Sequence, residues 1–146
     1  MSMTNAAETA LLTLIFNNTD WANVGDAGGL QNSATAGSFY ISLHTADPGE
    51  TGTQTTNEAA FTNYARVPVV RSGAGWTISG NNASNAAAIN FAACGVTGAT
   101  ITHFGIGSDS SGTGNLFFSG ALSASLAVSA GITPSFAIGE LDVNLD

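Results

Sequence analysis

Residues 39–44, Phe39-Tyr40-Ile41-Ser42-Leu43-His44, constrain the fold more than any other stretch of this chain. Phe39, Ile41 and Leu43 fall on one side of an extended backbone and Tyr40, Ser42 and His44 on the other, the period-2 pattern of a half-buried strand. Asp47-Pro48-Gly49 then stops it, because proline fixes φ for a turn and glycine accepts the positive φ that follows. A strand with one apolar face has to be matched by others of the same period. The remainder of the chain supplies them.

After a polar, turn-rich segment over residues 51–63, alternation returns in residues 64–70, where Pro68 demotes the strand to a sheet edge. Short strands are predicted at residues 75–80, 87–91, 100–107, 116–122, 126–128, 133–138 and 141–145. Asn81-Asn82 reads as a turn, residues 109–114 as a glycine-rich polar loop, and 100–107 with 116–122 as a hairpin. Upstream, residues 4–17 predict a helix, with Asn5 as cap and Glu8 three residues on. Ala7, Leu11, Leu14 and Ile15 give it one apolar face, and Asn17-Asn18 ends it. That face either covers a sheet of its own chain or docks on a neighbouring subunit through Leu11. Residues 20–38 form a glycine-interrupted loop with Trp21 as its anchor. The expected fold is mainly β: a single β-sandwich or jelly-roll-like barrel with an N-terminal α-helix. Residues 1–37 form a helix-and-loop arm and 38–146 the sandwich, one compact unit overall.

Charge limits the partners. Only 8% of the 146 residues are charged, about a third of the usual share, and the formal net charge is −8. Lysine is absent and the fixed cations are Arg66 and Arg71, which excludes a nucleic-acid footprint and disfavours anionic membranes. The first residues lack a basic start, and the apolar run at 10–16 is too short to span a bilayer, so no secretion signal is expected. Each arginine is expected to have a carboxylate partner, either within the chain (Asp47, Glu50 or Glu58) or across an intersubunit contact. The interface candidates are therefore Leu11, Trp21, Arg66 and Arg71.

Catalytic chemistry finds little footing. His44 with Asp47 lacks the spacing of a nucleophile–base–orienter set, and no Gly-x-Ser-x-Gly elbow is present. His103, in an alternating run, reads as a paired structural histidine. Zinc has no paired-ligand motif, although His44, His103 and Asp47 would meet if their strands were neighbours. Asp109-Ser110-Ser111-Gly112 lacks the acids of a calcium loop, and Gly105-Ile106-Gly107 opens into a loop where a dinucleotide fingerprint needs a helix. Cys94 reads as a small buried apolar residue. The sequons at Asn17 and Asn82 are of a kind common by chance. No catalytic, cofactor or metal residue is assigned.

The strand ending in Leu-His-Thr-Ala-Asp-Pro-Gly-Glu-Thr-Gly at 43–52, followed by Tyr64-Ala65-Arg66, resembles a family of small structural proteins of tailed bacteriophages. The likeness runs from about residue 39 to the C-terminus. It implies a non-enzymatic virion protein without cofactor. In one reading this is a capsid-decoration (cement) protein, a homo-oligomer, trimeric in form, bound to the major capsid protein. In the other it is a tail-fibre or baseplate-associated protein, with Trp21, Tyr40, Tyr64 and Trp76 as candidates for host glycan.

Overall fold

The computed structural model describes residues 2–25 and 28–145. It is mainly β, with antiparallel sheets and one N-terminal helix, as expected of a β-sandwich. The chain forms two compact units: Met1–Ser38 with Val70–Ala88 and Phe136–Asp146, and Phe39–Val69 with Ile89–Ser135.

The first unit holds α1 (Asn5–Asn17) and a three-stranded sheet of β3 (Trp76–Ser79), β4 (Asn82–Asn85) and β9 (Asp142–Asn144), in the order β3-β4-β9. Thr4, not Asn5, caps the helix: its backbone is extended and its hydroxyl accepts from the Ala7 amide at 3.4 Å. The buried line is Glu8, Leu12 and Phe16, whereas the expected face of Ala7, Leu11, Leu14 and Ile15 is half-buried. Apolar residues surround this helix on several sides, so periodicity alone does not choose the inward one. Tertiary contact does: Phe16 meets Trp76 with ring centroids 4.7 Å apart, and Thr9 Oγ1 donates to the Gly80 carbonyl at 2.8 Å. The helix thus packs on β3 and β4 of its own chain. Asn18 ends it in the left-handed conformation, φ 50°, as the paired asparagines led one to expect.

The turn expected at Asn81-Asn82 lies one residue earlier, at Gly80-Asn81, and Asn82 opens β4. Asn82-Ala83-Ser84-Asn85 has weak strand propensity, yet it pairs with β3 on one side and β9 on the other, and Ala83 is fully buried. Pairing on both edges overrides propensity. Asn85, also buried, accepts the Leu141 amide at 2.9 Å and donates to the carbonyls of Ala87 and Ala137, each at 2.8 Å.

The second unit is built on a four-stranded sheet ordered β2-β1-β6-β7, from β2 (Val67–Val70), β1 (Ser38–His44), β6 (Ala99–Gly107) and β7 (Leu116–Val128). β1 and β6 are antiparallel neighbours, with Tyr40 opposite Gly107, Ser42 opposite Gly105 and His44 opposite His103. The two strands expected at 116–122 and 126–128 join into one 13-residue strand. Between Ala121, opposite His103, and Leu126, opposite Ile101, the register of β7 jumps, so residues 122–125 bulge from the ladder. β5 (Ile89–Asn90) and β8 (Ser135–Phe136) pair as a separate two-stranded ribbon, shorter than the runs expected there.

Candidate interaction site

The second unit carries a buried polar network that ties two surface loops, residues 45–58 and 108–115, to the sheet. It starts on β1. Ser42 and His44 are both fully buried on the face opposite Ile41 and Leu43. His44 Nδ1 lies 2.8 Å from the Thr56 carbonyl and Nε2 lies 2.8 Å from Ser42 Oγ. A carbonyl only accepts, so Nδ1 carries the proton and Nε2 accepts the Ser42 hydroxyl. Burial holds the imidazole below its ordinary pKa, against the opposing pull of the Thr56 hydrogen bond and the Glu58 carboxylate.

This places a hydroxyl, a base and an orienting acceptor in line, but not as a catalytic set. Neither Ser42 nor His44 is exposed, and Gly105 closes over them: a Cβ there would stand 2.6 Å from Ser42 Oγ and 2.7 Å from His44 Nε2. No room is left for a substrate. Asp47 takes no part, since its Oδ1 accepts the Gly49 amide at 2.8 Å and closes the turn. His103, although opposite His44, directs Nδ1 to Thr102 Oγ1 at 2.8 Å.

Arg66 is the hub of the loops. Its Nε and Nη2 meet Glu58 Oε1 and Oε2 at 2.6 and 2.7 Å, a bidentate pair inside the chain. Nη1 donates to the Asp109 carbonyl at 2.8 Å and Nη2 to the Gly112 carbonyl at 2.7 Å. The carbonyls of the calcium-like loop thus close around a guanidinium. Hydrogen bonding to Glu58 raises the arginine pKa further. Tyr64 completes the group, donating its hydroxyl to Glu58 at 2.9 Å and accepting the Leu43 amide at 3.0 Å; burial raises its pKa. Gln54, fully buried, joins the loops directly: Oε1 accepts the Asp109 amide at 2.9 Å and its backbone N–H donates to the Thr113 carbonyl at 3.0 Å. Above this network, Asp47, Glu50, Thr51, Asn57 and residues 109–113 face solvent.

Of the other interface candidates, Arg71 serves the first unit. It donates from Nε to the Ile15 carbonyl at 2.6 Å and from Nη2 to the Leu14 carbonyl at 3.0 Å, satisfying acceptors that the last turn of α1 leaves open. A carboxylate was expected for each arginine; Arg66 has Glu58, while these bonds of Arg71 go to carbonyls. Leu11 is half-buried on the helix. Trp21 is half-buried in a bridge with Leu30, the two backbones exchanging hydrogen bonds at 3.0 and 2.9 Å. Among the glycan candidates, Trp76 is fully buried and Tyr64 is packed between Phe61 and Phe91, while Tyr40 is half-buried. Outside that set, Phe117 is half exposed beside Phe39. Ser42 and Gln54 carried no sequence signal, because a serine in an alternating strand and a glutamine in a polar loop each read as solvated.

Fold and site together define a small β-rich structural protein whose polar interior is spent on fixing loops. A family model described as Podophage GP4 fiber I protein gp80 matches residues 2–144, nearly the whole chain. The chain belongs to this family of phage structural proteins and is a component of the virion. No curated protein matches it.

Proposed function

We propose that this chain is a non-enzymatic component of a phage tail fibre that works by binding other virion proteins. The observation carrying the proposal is the fibre-protein family match over residues 2–144. The family description favours the tail over the decoration of the head that the sequence resemblance put first. Physical features agree with a binding role. The arginines are engaged within their own units, and the described surface is otherwise neutral or acidic. In this reading the exposed rim of loops 45–58 and 108–115 contacts a partner, held rigid by Arg66, and the Trp21–Leu30 bridge presents a second contact element.

Cryo-EM of the intact virion, with this chain's density assigned, tests it. Density confined to fibres of the tail is the expected outcome. Density repeating across the icosahedral shell overturns the fibre reading and restores decoration of the head.

A further inference from the structure

His44 occupies a position with a consequence beyond architecture. It is fully buried at the end of β1, where loop 45–58 leaves the sheet, and its imidazole is itself one of the ties holding that loop. At this end the Thr45 amide and hydroxyl donate to the Asn57 carbonyl at 2.8 and 3.2 Å, Asn57 Nδ2 to the Asp47 carbonyl at 3.0 Å, and the Ala59 amide to the Leu43 carbonyl at 2.8 Å, while Gln54 ties the middle of the loop to residues 109 and 113.

Protonation of Nε2 leaves the Nδ1 bond to Thr56 in place but turns Nε2 from acceptor into donor toward Ser42, whose hydroxyl loses its own acceptor, and it places a charge where water has no access, since Gly105 packs against Nε2. The charged and titratable groups around the ring do not cancel that charge cleanly. Glu58 attracts it but is already paired with Arg66 and Tyr64, Arg66 repels it, and His103 on β6 stands directly opposite. The route to water runs through the loop, whose Thr45, Ala46, Asp47, Thr55 and Asn57 are exposed.

We propose that His44 is an acid-operated latch, whose protonation releases residues 45–57 from the sheet while the β1–β6 ladder stays paired. The sign follows from linkage. The closed form holds a neutral imidazole and resists the proton, whereas the open form hydrates the ring and titrates near the ordinary value of 6.5. Below pH 6.5 the open form therefore binds more protons, and its population rises by up to about tenfold per pH unit until the closed form also protonates. Above that pH the loop is closed. This inference is independent of where in the virion the protein sits.

The test is amide hydrogen exchange on the full chain at pH 7.5, 6.5 and 5.5, corrected for intrinsic rates, alongside NMR of the histidine rings. The expected result is that the Thr45 and Gln54 amides lose protection several-fold between pH 6.5 and 5.5, in step with the His44 ring titration, while Ile106 and Ala83 hold theirs. His44→Asn, which keeps a donor for Thr56 but does not titrate, is expected to abolish the acid response, and His103→Asn to retain it. Loop and core amides losing protection together, or a loop response out of step with the His44 ring, overturns the latch. So does an acid response that survives in His44→Asn. The wild-type measurements decide the matter even if that variant fails to fold.

Discussion

Arg66 does for loop 108–115 what a bound cation does in other loops: it gathers carbonyl oxygens that would otherwise repel one another. A guanidinium suits this because its planar fork directs several donors at fixed angles, two into Glu58 and two into the Asp109 and Gly112 carbonyls. The side chain is 2% exposed and that of Glu58 16%, so deleting one partner strands a charge in the interior. Arg66→Ala is expected to lower stability by about 3–5 kcal/mol, the usual cost of breaking a buried pair from one side. Urea unfolding measures it. Arg66→Lys separates charge from geometry. One ammonium cannot reach four acceptors in that spread, so lysine should recover less than half of the loss. Full recovery by lysine would mean that charge alone, not the fork, holds the loops.

At the scale of elements, the glycines of β6 explain how a sheet accommodates so much polar bulk. Gly105 lies against Ser42 and His44, and a Cβ at Gly107 would stand 2.2 Å from Gln54 Cδ. Gly105-Ile106-Gly107 resembles the start of a nucleotide-binding loop only on paper; in the fold the missing side chains make room for a neighbouring network. Gly107→Ala should therefore expel Gln54 and cost about 1–3 kcal/mol through overpacking. Gly73→Ala, where a Cβ meets nothing within 4 Å, should be neutral or slightly stabilising. Urea midpoints of the two variants side by side test the distinction, and equal midpoints would remove the packing argument. The same contrast marks what the sequence made legible. Alternation located β1, β6 and most of β7, because apolar side chains recur at every second position there, although β1 proves to be buried on both faces. It missed β4, whose Asn and Ser residues are held by neighbours on both sides, and it chose the wrong face of a helix whose apolar residues spread over several sides. Glu58 was one of three carboxylates named for an arginine. Ser42 and Gln54 were invisible, because a polar side chain becomes a buried partner only once distant segments meet.

Over the whole molecule, the decisive property is an asymmetry of charge. Ten acids face two arginines, and both arginines are consumed inside their units: Arg66 in its carboxylate and carbonyls, Arg71 in the end of α1. Meanwhile Asp20, Asp47, Glu50, Asp109, Glu140 and Asp142 stand exposed. Two copies approaching each other at neutral pH thus meet mostly acid with acid, and among the described residues both arginines already have internal partners to leave before they can pair across a self-interface. Attraction between copies has to come from neutral surface such as Phe117, Val96 and Ile138, which are 50%, 89% and 70% exposed. Salt then acts in one direction. At about 0.01 M ionic strength the repulsion reaches roughly 30 Å, and near 1 M about 3 Å, so added salt screens the repulsion and leaves apolar contact intact. Sedimentation of the isolated chain at pH 7.5 is expected to give a weight-average mass that rises, or stays at the single-chain value, as salt increases. A mass that falls with salt would reveal self-assembly through ion pairs and show that one of the arginines leaves its internal partners to make them.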